Sequence, residues 1–111
     1  MFNRVAIIGL GLIGGSIGLA LHKAKAAQQI VGYDLGKGIC NQARKVGAID
    51  QPYSALADAV RGAELVILAT PVGAMRSLLQ EVATSLSAGA VVTDVASTKV
   101  QVISWAAVSY T

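Results

Sequence analysis

Val5-Ala-Ile-Ile-Gly-Leu-Gly-Leu-Ile-Gly14 decides the fold, because it reads as a buried strand that turns on glycine into a helix. Val5 to Ile8 are apolar without a break and rich in β-branched types, the pattern of a parallel strand covered on both faces. Gly9, Gly11 and Gly14 then fall at the G-x-G-x-x-G spacing. Gly9 is expected to permit the tight turn and Gly14 to let the helix pack close to the strand. Gly11 is expected to let a pyrophosphate approach the backbone where a Cβ would stand in the way. The phosphates would rest on the unpaired amides of the first helical turn, where the helix dipole also favours negative charge. Ile13, Ile17, Ala20 or Leu21, and Ala24 recur at helical spacing and predict one apolar stripe against a sheet. Gly15 and Gly18 read as further points of close packing.

A glycine motif in a chain with 12 glycines needs context. A second apolar run, Ile30-Val-Gly-Tyr33, ends in Asp34, 20 residues after Gly14. That is the expected distance for an acid that accepts hydrogen bonds from the ribose hydroxyls of a dinucleotide. The plainer reading makes Asp34 a cap for the next helix. Strand, glycines, helix, strand and acid in register favour the dinucleotide.

The chain has 111 residues, room for one domain over residues 1–111 and one core. It is 54% hydrophobic and 14% charged, which suits a sheet buried on both faces. The net charge of +3 comes from nine scattered bases without a run or interleaved aromatics, so nucleic-acid binding is not indicated. Cys40 is the only cysteine, which excludes an internal disulfide and a cysteine zinc site. Arg4 followed by the uncharged stretch Val5 to Leu21 imitates a secretory signal, but five glycines interrupt it and argue equally against a membrane span. The expected compartment is the cytoplasm.

Beyond Asp34, Ile39, Ala43 and Val46 predict a helix over 36–46 that stops at Gly47. A third strand is expected at Ala48 to Asp50, closed by Pro52, and a short helix capped by Ser54 runs to Val60. Leu65-Val-Ile-Leu-Ala69 reads as a strand stopped by Thr70-Pro71, and Gly73 to Leu86 as an amphipathic helix. Ala90 to Val95 is the fifth strand. A last helix is expected to carry Val100, Ile103 and Ala107. The fold class that follows is α/β, a doubly wound parallel sheet of about five strands in the order 3-2-1-4-5, with the sixth strand of a full dinucleotide domain missing and strand 5 left as an exposed edge.

In such a sheet ligands bind beyond the carboxyl ends of the strands. The residues expected to hold the cofactor are Gly9, Leu10, Gly11, Leu12, Ile13, Gly14, Asp34, Thr70, Pro71, Val72 and Asp94. Asp34 should repel a 2′-phosphate, so NAD is expected over NADP. Lys37 nearby keeps NADP admissible. Ser97, Thr98 and Lys99 offer a hydroxyl and a cation to an anionic substrate, or simply a helix cap. His22, the sole histidine, falls two turns into the first helix and reads as a solvated surface residue. No metal-ligand cluster or nucleophile elbow is present in the sequence.

Gly9-Leu-Gly-Leu-Ile-Gly-Gly-Ser16, Gly32-Tyr-Asp34, Ala69-Thr-Pro-Val72 and Thr93-Asp-Val-Ala-Ser-Thr-Lys99 together resemble the amino-terminal half of the prephenate and arogenate dehydrogenases of tyrosine biosynthesis. The resemblance implies a nicotinamide-dinucleotide domain and the oxidative decarboxylation of prephenate or arogenate. It also implies a role for Ser97, the one position matching the family's active-site residues, beside the nicotinamide and the substrate hydroxyl. The family's catalytic histidine motif and its helical substrate and dimer domain have no counterpart here. The isolated chain is therefore expected to be inactive unless a second domain completes it. The alternatives are a stand-alone NAD-binding module, with a possible homo-oligomer through the apolar segment Val100 to Tyr110, or a fragment of another NAD(P)-dependent dehydrogenase or reductase.

Overall fold

A computed structural model describes residues 2–36, 38–69, 75–94 and 101–104. Ten elements follow in chain order: β1 (Phe2–Ile8), α1 (Leu12–Ala24), β2 (Ala27–Tyr33), α2 (Ile39–Lys45), β3 (Gln51–Pro52), α3 (Leu56–Val60), β4 (Leu65–Leu68), α4 (Met75–Ser85), β5 (Val91–Asp94) and β6 (Gln101–Ser104). The sheet order is β3-β2-β1-β4-β5-β6, and the first five strands run parallel, as the alternation of strand and helix predicts.

The sheet does not stop at five strands. Gln101–Ser104, expected within a helix, pairs antiparallel with β5 in the register Val92↔Ile103 and Thr93↔Val102. Three apolar residues at 100, 102 and 103 satisfy either period, and the edge of β5 is satisfied by a strand. The expected third strand is also displaced. Ala48 and Ile49 are buried in the approach, while pairing with β2 falls on Gln51 and Pro52. An edge strand tolerates that proline, which has no N–H for a second neighbour.

Strand alternation divides the core between the two faces of the sheet. Val5, Ile7 and Ile30 pack with Ala43, Ala48 and Ile49 on the α1/α2 face, joined by Ile17 and Leu21. Ala6, Ile8, Val31, Val66 and Leu68 pack with Leu56, Ala59, Val60 and Val82 on the α3/α4 face. Each fully buried Ile, Leu or Val contributes about 1.5–3 kcal/mol relative to exposure.

α1 seats on glycines more than on the expected stripe. Gly14 and Gly18 are its buried residues, whereas Ile13 stands 49% exposed. A Cβ at Gly14 would overlap the Gly9 carbonyl, and one at Gly18 the Ala48 carbonyl. Gly15, by contrast, has only the Leu10 carbonyl oxygen near it, at 3.8 Å from where a Cβ would stand. Among the described residues no helix is long and apolar enough to cross a membrane.

Candidate functional site

The carboxyl ends of β1 and β2 lie side by side, because Ile8 is in register with Tyr33 and Gly9 N donates to the Tyr33 carbonyl at 2.8 Å. Gly9 takes φ 98°, a left-handed turn that a side chain would strain, and the chain then enters α1. The first backbone bond of the helix runs from Gly15 N to Gly11 O at 2.8 Å. The amides of Leu12, Ile13 and Gly14 therefore precede the helical ladder and gather at its positive end. Gly11 is extended, and a Cβ built on it meets nothing within 4 Å. Among the described residues no neighbour requires glycine there.

Asp34 follows β2 directly and is locked from both sides. Its Oδ2 accepts from Leu10 N at 2.7 Å and its Oδ1 from Gly36 N at 2.8 Å. Each oxygen retains acceptor capacity toward a hydroxyl donor. The cap reading is thus displaced, since α2 begins after Gly38 without a side-chain cap. Beyond Asp34 opens a cleft of about 490 Å³ lined by Tyr33, Leu35, Gly36, Cys40, Pro52 and Tyr53 among others. Its walls are mixed, with Asp34, Asn41 and Ser54 standing among the apolar residues. Burial pushes the Cys40 thiol up and the Asp34 charge adds to this, while a backbone bond at Asp34 offsets part of it. Cys40 packs against the α1/α2-face core at the wall of the cleft.

The structure therefore brings together Gly9, Leu10, Gly11, Leu12, Ile13, Gly14 and Asp34. Thr70, Pro71, Val72, Ser97 and Lys37 lie outside the described residues. Asp94 closes β5, where its backbone is in register with Leu68 and Gln101.

His22 is remote from this edge and is not free in solvent. Its Nε2 lies 2.9 Å from Asp50 Oδ1 and its Nδ1 3.1 Å from the Gly18 carbonyl. Both ring nitrogens face acceptors, which favours the doubly protonated ring. Burial alone would lower its pKa, but the hydrogen bonds to Asp50 and Gly18 outweigh that and raise it. Asp50 moves the opposite way: burial would raise it, and the bonds from His22 and Ile30 N hold it below its ordinary value. Spacing along the chain carries no sign of this pair, whose members are 28 residues apart.

Comparison with known proteins extends this picture. Residues 17–110 match the family described as prephenate dehydrogenase, nucleotide-binding domain. The prephenate dehydrogenase of Bacillus subtilis (strain 168) is 38% identical over 107 residues, which cover 96% of this chain and 29% of the relative. The crystal structure of Synechocystis arogenate dehydrogenase superposes with a TM-score of 0.78 at 29% identity, covering 86% of this chain and 34% of that one. Prephenate dehydrogenase from A. aeolicus, solved in complex with hydroxyphenyl propionate and NAD+, gives 0.77 at 29% identity, over 85% of this chain and 33% of that one. The chain thus spans about a third of the length of these relatives. Aligned over nearly its whole length with one domain of these enzymes and folded as that domain is, the chain belongs to the prephenate dehydrogenase family as its nucleotide-binding domain.

Proposed function

We propose that this chain holds NAD, in preference to NADP, for a dehydrogenase that oxidatively decarboxylates prephenate or arogenate once a substrate domain completes the site. The hydrogen bond from Leu10 N to Asp34 Oδ2 carries the reading. It fixes the acid against the glycine turn, so that one rigid corner can hold a ribose and the pyrophosphate attached to it. In this reading the amides of Leu12, Ile13 and Gly14 bind the pyrophosphate, Gly11 gives it room, and Asp34 accepts from the ribose hydroxyls. A 2′-phosphate would meet the Asp34 carboxylate as a like charge, which favours NAD. Thr70, Pro71, Val72 and Asp94 are proposed to border the nicotinamide half, with Ser97 beside the substrate hydroxyl.

Bound NAD supplies the hydride acceptor. The reaction also needs a group to take the substrate's hydroxyl proton and a surface that holds substrate in near-attack geometry. His22 provides neither, since both its nitrogens are engaged on the α1–β3 side of the fold. The chain by itself is therefore proposed to bind cofactor without turnover. Self-association through Val100 to Tyr110 would use what β6 leaves of that segment, and sedimentation tests it. Calorimetry with NAD and NADP, beside an NADH-formation assay with prephenate and arogenate, tests the main reading. NAD binding tighter than NADP with no turnover is the expected result. Absence of binding to either at millimolar concentration would remove the reading.

A further inference from the structure

We propose that Arg4, on the opposite side of the sheet from the phosphate-binding turn, is a positioning residue for the adenosine half of the cofactor and acts through Tyr53. The inference rests on the reading of the cleft beside Asp34 as the adenosine site. The outer wall of that cleft is the connection Pro52-Tyr53-Ser54 between β3 and α3. It is weakly held by the sheet. β3 has two residues on an edge, and Tyr53 N to Gly32 O at 2.9 Å is the last backbone bond before the chain leaves. Nor does α3 anchor the segment from its own side, because its N-terminus has no side-chain cap.

Packing of Tyr53 against the α3/α4 core holds its ring from one side, and Arg4 holds it from another. Strand alternation directs it to the α3/α4 face together with Ala6 and Ile8. Its guanidinium carbon lies 5.3 Å from the centroid of the Tyr53 ring, and its Nη2 donates to the Asp58 carbonyl at 2.9 Å. One planar cation thus grips both ends of residues 53–58. Stability alone does not account for it. The Arg4 Nε is buried without a hydrogen-bond partner, and an apolar side chain of similar length would avoid that cost. A planar fork over an aromatic face is also something a lysine cannot reproduce.

The test is a double-mutant cycle read by calorimetry with NAD and with ADP-ribose, which carries the adenosine and pyrophosphate but no nicotinamide. Arg4→Met should weaken both ligands alike, about fivefold, from the loss of the stacked cation that orders the wall. In a Tyr53→Ala background the same substitution should have no further effect. The melting temperature of Arg4→Met should stay near that of the wild type. Should it fail to fold, Arg4→Lys replaces it in the same cycle, with a smaller loss of the same kind expected. Unchanged affinity in the Arg4 variant, or an equal loss with and without Tyr53, overturns the inference while leaving the cofactor site standing. A wild-type chain that binds neither ligand removes the reading beneath the inference and the inference with it.

Discussion

α1 is fastened at two places along its length by the same two devices, a glycine pressed on a carbonyl and an aspartate that accepts from two N–H groups. Near the start, Gly14 lies on the Gly9 carbonyl, and Asp34 accepts from Leu10 and Gly36. Farther along, Gly18 lies on the Ala48 carbonyl, and Asp50 accepts from Ile30 N and from His22. The difference lies in what completes each aspartate. Asp50 receives the His22 ring, a cation when protonated, and is finished as a structural joint. Asp34, among the described residues, receives amides alone, and beside it Gly11 faces open space. A carboxylate held rigid by amides, next to amides that precede the helical ladder, supports the proposed ligand, with hydroxyls on one side and phosphates on the other.

Gly14→Ala should have the largest effect. The added methyl has only backbone in front of it, so the turn and helix must separate, at a cost of about 3 kcal/mol. Chemical denaturation should give that loss together with weaker NAD binding. A stability within error of the wild type would show that the helix is not held by this contact. Asp34→Asn comes next and separates the two joints. It keeps an acceptor for one amide and turns an NH2 toward the other, so stability should fall by about 1 kcal/mol, while NAD affinity should fall about tenfold with the loss of charge-assisted bonds to ribose. Asp50→Asn should lower stability by a similar amount and leave affinity alone. Equal binding losses in the two variants would erase the distinction between the joints.

The smallest effect is the pH dependence of the second joint. His22 is raised above its ordinary 6.5, so its contribution is complete below that pH and is lost as pH rises through the folded value. Asp50 is lowered from its ordinary 3.8, so its contribution is complete above that pH and is lost as pH falls through the folded value. The pair therefore stabilises most between about 3.8 and 6.5. The side chains are 32% and 44% exposed, and solvent screening holds the effect to about 0.5–1 kcal/mol. Denaturation midpoints of the wild type should exceed those of His22→Gln at pH 6 and converge with them above pH 8. A constant gap across that range would mean that the contact works without charge.

The site's first half was legible because it is local. Glycine spacing, one apolar strand on either side and an acid at the end of the second fix Gly9 to Gly14 and Asp34 within 30 residues of chain. The strand order follows from alternation and handedness for the same reason. What the sequence hid is tertiary. The closest contacts of α1 are made by Gly14 and Gly18, which carry no hydropathy signal, so the apolar stripe places Ile17 and Leu21 against the core but wrongly adds Ile13, which stands outside. Gln101–Ser104 is too short for its period to separate helix from strand, and only pairing with β5 decides it. Arg4 with Tyr53, and His22 with Asp50, meet across the fold and have no spacing that announces them.

Gly11 is proposed to be glycine for the sake of a ligand, whereas Gly14 is glycine for the sake of the fold. Gly11→Val tests this central claim most directly, by melting temperature and NAD calorimetry on the same sample. The backbone there is extended and, among the described residues, nothing meets an added Cβ, so the claim predicts that Gly11→Val lowers the melting temperature by only a few degrees, from the exchange of an N-cap glycine, and abolishes measurable NAD binding. A variant that folds as the wild type does and still binds NAD with wild-type affinity would contradict it.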